Sequence, residues 1–273
     1  MNTGSCKLMR FIHHSALLAL LPLLSVTWLG CGKLAPSADE RVVLRAGHPL
    51  DASHPVHQAL LFMAERLEEK SDGRVVLKIF QGSQLGDTRV MLEQTQLGVL
   101  TFVAASTANV ESFIPELGAF SVPYLFRDRD HFWEVLDGPI GQGLNQNFNQ
   151  AGFRGLCFFD AGARSFYTKA KAVMTPEDLS GMKIRVQANQ TSIATVAALG
   201  GSPTPIPWGE LYTALQQGVV DGAENNTPSY LSSRHYEVCP VYSLDEHTRL
   251  PDVLLMSLKK WNSYPEDIQN LIV

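Results

Sequence analysis

Charge is scarce in this chain: Lys, Arg, Asp and Glu make up 18% of 273 residues, and 22 cations against 27 acids leave a formal net charge of -5. A domain that displaces counterions from nucleic-acid phosphates needs clustered cations, so a nucleic-acid partner is not expected. Like-charge runs are also missing, and 45% of residues are hydrophobic, which excludes a disordered chain. Several catalytic signatures are absent. There is no G-x-S-x-G elbow, no H-E-x-x-H pair and no Walker loop, and Gly141-Gln142-Gly143 lacks the next Gly of a dinucleotide fingerprint. An enzyme such as a secreted hydrolase is therefore disfavoured. Internal repeats, low-complexity tracts and coiled-coil heptads are lacking too.

Long apolar runs are few, and the one near the start is short. Lys7 and Arg10 precede Ala16 to Leu24, which Pro22 interrupts before the stretch continues to Gly30 and Cys31. A membrane span needs roughly 20 apolar residues, so residues 1–31 read as an export signal, against the alternative of a retained signal anchor. Trp28-Leu29-Gly30-Cys31 resembles a lipoprotein processing box with Trp where Leu is usual, making Cys31 the expected lipidation site and membrane attachment. Cleavage after Ala35 or Ala38 would instead release a soluble protein. Residues 32–40 read as a linker.

Of four Cys, two fall beyond that leader. Cys157 and Cys239 sit in apolar runs and are expected to be buried free thiols, although an oxidising compartment permits a bridge.

From Arg41 onward short β-rich runs alternate with amphipathic helical windows, which predicts α/β lobes with largely parallel sheets. Val42–Ala46 and Val75–Phe80 read as strands around a helix over Pro55–Glu69, whose Ala59, Leu60, Met63, Ala64 and Leu67 share one face. Asp87 can cap a helix running to Leu97, followed by a strand over Leu100–Ala105. Thr175-Pro176-Glu177-Asp178 is a helix start. A strand over Lys183–Val186 and helices over Ser192–Leu199 and Glu210–Gln217 follow, with Gly200-Gly201 and Gly218 as stops.

A set of segments then stands in order: Gln84-Leu85-Gly86-Asp87, Pro123-Tyr124-Leu125-Phe126, Thr175 to Leu179, Gly181-Met182-Lys183-Ile184-Arg185-Val186, Gly200 to Pro205, Glu210 to Gln216 and Val220 to Asn225. Together they resemble the extracytoplasmic solute receptors (DctP family) of tripartite ATP-independent periplasmic (TRAP) transporters. The resemblance runs from Val42 to Val273. It implies a two-lobed periplasmic-binding-protein-like α/β fold with a cleft, crossing hinge strands and a long helix. Lobe I would comprise 41–161 plus 250–273, and lobe II 162–249. Members usually run on for several more helical turns, so a C-terminal helical part is expected beyond Val273.

By the same resemblance, the chain would hold a small organic acid in the cleft and hand it to TRAP membrane permease subunits from the periplasm. The same receptor could instead present the acid to a membrane kinase as a sensor. Arg185 matches the carboxylate-binding Arg, whose planar fork suits two parallel charge-assisted hydrogen bonds. Arg164 matches a second Arg that reaches the ligand or orients the first, with a lobe-to-lobe salt bridge as its other reading. Asn225 matches a ligand-binding amide, and Trp208 an aromatic wall. Glu224 is expected to pair with an Arg. Asp87 would accept from ligand hydroxyls, besides capping its helix. His48 is expected to line the cleft and His247 to lie near its edge, while His54 and His57 are expected to face solvent. No metal site is expected from these His, since no further ligand completes one, and no cofactor is implied. Trp208, Asp87 and the Asn225-Asn226 pair favour a sugar acid such as a hexuronate slightly over a C4-dicarboxylate, and the run Asp221–Tyr230 resembles the sugar-acid branch.

Overall fold

A computed structural model describes residues 41–273. The expected export signal, linker and lipidation at Cys31 lie outside the described residues. The first part of the chain runs β1 (Val42–Gly47), α1 (Pro55–Lys70), β2 (Val75–Phe80), α2 (Thr88–Leu97), β3 (Phe102–Ser106), α3 (Thr107–Val110), α4 (Arg129–Asp137), α5 (Pro139–Gln150) and β4 (Phe153–Asp160). A second part runs β5 (Arg164–Thr168), β6 (Lys183–Val186), α6 (Gln190–Ala198), β7 (Ser202–Pro205), α7 (Trp208–Gln217), β8 (Gly222–Asn226), α8 (Thr227–Ser232) and β9 (Val241–Tyr242). The chain then returns through β10 (Pro251–Ser257), α9 (Leu258–Ser263) and α10 (Glu266–Ile272).

These strands form two five-stranded sheets, ordered β2-β1-β3-β10-β4 and β7-β6-β8-β5-β9. The expectation of largely parallel sheets needs correction. In the first sheet β1 pairs parallel with β2 and β3, but β10 is antiparallel to both β3 and β4. The second repeats that mixture, with β6 parallel to β7 and β8 but β5 antiparallel to β8 and β9. Helical crossovers bring β1, β2 and β3 back in one direction. β10 instead enters its sheet from the second one, so it lies against the local direction.

Each sheet is apolar on both faces. Along β3, Phe102 and Ala104 join the core beneath α1, while Val103 and Ala105 join the core that takes in Phe132, Phe148 and Phe153. β10 divides the same way, with Leu254 and Met256 on one side and Val253 and Leu255 on the other, as a two-residue period requires. In the second sheet Ile184 and Val186 pack with Leu179 and Val196, and Tyr167 and Ala223 pack with Leu211 and Leu215. Covering helices on both faces account for the near-continuous hydrophobic runs in β3 and β10.

Helix ends follow local chemistry. The Asp87 side chain accepts from the Val90 N–H at the start of α2, and Gly218 closes α7 with φ 75°. The α7 helix begins at Trp208, two residues before the expected Glu210. Cys157 and Cys239 are free; Cys157 lies on β4 and Cys239 in the connection leading to β9. Cys239 is buried, but Cys157 is exposed rather than buried, because β4 is an edge strand of its sheet. Among the described residues no helix is long and apolar enough to cross a membrane.

Candidate functional site

The carboxyl ends of the parallel strands in both sheets converge on one cavity of about 910 Å³, counting its open mouth. In open α/β sheets this is where ligands bind, because loops and helix N-termini meet there. From the first sheet come Pro49 and Leu50 after β1, Ala104–Ser106 at the end of β3, Asp87–Arg89 at the start of α2, and Asp252 on β10. The second sheet supplies Arg164, Arg185 and Gln187, with Trp208 at the first turn of α7 and Asn225, Asn226 and Ser229 around the start of α8.

Five of the residues singled out from sequence thus meet in one place: Arg185, Arg164, Asn225, Trp208 and Asp87. Arg185 is 3% exposed, and its Nε donates to the Ile206 carbonyl at 2.9 Å. Its Nη1 is buried without a hydrogen-bond partner among the described residues. Burial lowers the Arg185 pKa to about 10, so the guanidinium still carries its charge at neutral pH. It lies 5.6 Å from the centroid of the Trp208 ring, within cation–π reach.

Arg164 is held differently. Its Nε donates to Glu224 Oε2 at 2.5 Å and its Nη2 to Glu224 Oε1 at 2.9 Å, a bidentate fork that also bonds the Glu224 carbonyl. Burial works against both charges, but the fork outweighs it: the Arg164 pKa rises and the Glu224 carboxyl is held down to about 2. The pairing expected for Glu224 is therefore to Arg164. The bridge is not lobe to lobe, since β5 and β8 are neighbours in one sheet. Arg164 Nη1 donates to Asn225 Oδ1 at 2.6 Å, and the same oxygen accepts from the Asn226 N–H at 2.8 Å. Both bonds fix the amide orientation, so Asn225 offers its Nδ2 hydrogens rather than an acceptor.

The histidines depart from expectation. His48 is fully buried and does not line the cavity; its Nε2 lies 2.9 Å from His57 Nδ1, because β1 ends beneath the first turn of α1. His54 and His57 are 0% and 7% exposed, not solvent-facing. The His54 Nδ1 accepts from the Val56 N–H, which leaves Nε2 as the protonated nitrogen donating to Ser229 Oγ at 3.2 Å. That bond joins the start of α1 to α8, across the two sheets' layers. Burial lowers the pKa of His48 and of His54 to about 4. His247 is buried against Phe166, with Nδ1 2.6 Å from Asp245 Oδ2 and Nε2 3.7 Å from Glu224 Oε2. Burial opposes its charge, but Asp245 and Glu224 outweigh it and raise its pKa. Among the described residues no group of three or more His, Cys, Asp or Glu could hold a metal ion.

Three cavity residues are not evident from sequence. Gln187 lies two residues beyond Arg185, hence on the same face of an extended chain, and its Oε1 is buried and unpartnered. The period of two could have flagged it. Ser106 Oγ is likewise unpartnered. Asp252 is a lone acid in the apolar run Leu250–Met256; burial raises its pKa to about 6 although Arg164 pulls it down. A carboxylate interrupting a buried strand was the available signal.

Residues 46–273 match the bacterial extracellular solute-binding protein family 7, DctP. The chain belongs to this family. It is 43% identical over 75% of its length to the uncharacterized protein YiiZ of Salmonella typhimurium strain LT2, and spans 63% of that relative. Among solved structures, it resembles a TRAP periplasmic solute binding protein from Xanthobacter autotrophicus Py2 with bound β-D-galacturonate. The TM-score is 0.81 with 38% identity, covering 84% of this chain and 76% of that one. A TRAP periplasmic solute binding protein from Sulfurospirillum deleyianum DSM 6946 with bound succinate gives 0.83 with 32% identity, covering 85% and 75%.

Proposed function

We propose that this DctP-family chain is the periplasmic receptor of a TRAP transporter, taking up a sugar acid of the hexuronate class and passing it to membrane permease subunits. The observation that carries this reading is the buried, unpartnered Nη1 of Arg185 in the cavity. A charged donor hidden from water without an acceptor costs roughly 1–3 kcal/mol or more, so a partner is to be expected from outside the chain. A ligand carboxylate supplies it.

Arg164 is already engaged by Glu224, which leaves Arg185 and the Asn225 amide as the donors for one carboxylate head. Trp208 walls the cavity with a face suited to the C–H side of a sugar ring. Gln187, Ser106 and Asp252 offer acceptors and a hydroxyl for a hydroxylated tail. The galacturonate-binding neighbour supports this class, and the succinate-binding one makes a C4-dicarboxylate the comparison to run. Lipidation at Cys31 would tether the receptor to the membrane facing its permease.

A thermal-shift and calorimetry screen tests the reading, using uronates, aldonates and C4-dicarboxylates with neutral sugars as controls. At a hundredfold excess over Kd a ligand adds about 2.7 kcal/mol, a rise of several degrees in Tm for a protein of this size. Sugar acids should produce that rise and neutral sugars none. Equal rises with acid and neutral sugar would remove the assignment.

A further inference from the structure

We propose that Asp252, with Ser106 beside it, selects a hydroxylated monocarboxylate and rejects a second carboxylate; this rests on the sugar-acid reading and names the residues that set its specificity. Strand register places the pair. Asp252 on β10 stands directly opposite Ser106 on β3, so their side chains share a face at the end of the first sheet. Both line the cavity. Among the described residues the Asp252 carboxyl makes no hydrogen bond and the Ser106 hydroxyl is buried and unpartnered.

An acceptor pair of this kind matches neighbouring hydroxyls, which donate to the carboxylate and exchange with the serine. The donors for an acid head, Arg185 Nη1 and Asn225 Nδ2, belong to the second sheet. Head and tail are therefore read by different sheets.

The balance of charge in the cavity points the same way. Arg164 and Glu224 cancel as a fork and the exposed Arg89 pairs with Glu93, which leaves Arg185 as the guanidinium without an acid partner and, besides the capping Asp87, Asp252 as the remaining acid. A single ligand carboxylate beside Arg185 is balanced. A dicarboxylate would set its second charge against Asp252 with no unpaired cation left to separate them, and like charges drawn out of water repel strongly. Asp87 does not replace Asp252 in this role, since one of its oxygens is engaged by the Val90 N–H and the residue is exposed.

Calorimetry on the full chain at pH 8, where Asp252 and succinate are both ionised, tests the proposal with D-galacturonate and succinate as probes. The wild type should bind galacturonate at least about tenfold more tightly than succinate. Asp252→Asn should weaken galacturonate and strengthen succinate, cutting that ratio by about tenfold or more. Asp252→Ala provides a second variant, and Ser106→Ala should weaken galacturonate while leaving succinate within about twofold. A ratio unchanged in Asp252 variants whose melting shows them folded overturns this inference and leaves the sugar-acid receptor standing. Failure of the wild type to bind any uronate overturns both.

Discussion

At the scale of single residues the two arginines divide the labour. Both sit on strands of the second sheet, both are 3% exposed, and both line the cavity. One is saturated by Glu224 and the other is left with an open donor. Replacing Arg185 by Ala should therefore weaken every carboxylate ligand by about tenfold to a hundredfold with little loss of stability, and Arg185→Lys by more than about tenfold, because a point charge does not reproduce the fork. Calorimetry checks it; unchanged affinity in a folded variant refutes the role. Glu224→Ala should do the opposite kind of damage. It strands the Arg164 charge in the interior and should cost about 3–5 kcal/mol, read from urea unfolding. Trp208→Ala should reorder the preference among uronates, aldonates and dicarboxylates, and an unaltered order would count against its role as a wall. Arg185 and Asn225 were singled out from within the ordered motifs, and Arg164 and Trp208 by the positions they match in the same resemblance. Asp252 was not, since its importance comes from a strand pairing that spans 146 positions of the chain, from Ser106 to Asp252.

At the scale of elements, helix N-termini are built by short-range rules, and the Asp87 cap of α2 is legible in the sequence. Asp87 caps α2, Asn226 caps α8 through the Ser229 N–H, and the Asn189 side chain caps α6. Gly86 precedes the first of these with φ +108°, and a Cβ there would lie 2.8 Å from Val90 Cγ1. Gly86→Ala should thus destabilise the protein by more than Asp87→Ala, which should cost about 1 kcal/mol. Denaturant midpoints of the two variants decide the order. The histidine cap of α1 was not legible. His54 precedes Pro55 and by sequence resembles a loop residue, yet its ring both caps the helix and reaches Ser229 on α8. Loop His residues are usually wet; packing of α8 against the start of α1 makes this one dry.

At the scale of the whole molecule, burial of neutral imidazoles makes the fold sensitive to mild acid. His48, His54 and His235 each have a pKa lowered from 6.5 to about 4, chiefly by burial. An unfolded chain binds those protons first, so the stability they lend is complete above pH 6.5 and is lost as pH falls from there towards 4. Each shift is worth on the order of 3 kcal/mol, and the raised pKa values of His247 and Asp252 offset part of the loss. Urea midpoints should accordingly drop between pH 7 and pH 4.5, and a flat profile would contradict the assignment of neutral rings. Glu224, held down to about 2, adds to the loss only at the acid end of this window, where an unfolded glutamate begins to take up its proton. Some of these properties the amino-acid order determined alone. The Asp87 helix cap, the strand periods and each short family motif are local, because they depend on residues within a few positions of one another. Only the tertiary structure decided which guanidinium stays open, why β10 runs against its neighbours, and where Asp252 points. Those outcomes depend on groups brought together from distant parts of the chain, and the free energy of a buried charge is set by what surrounds it in space.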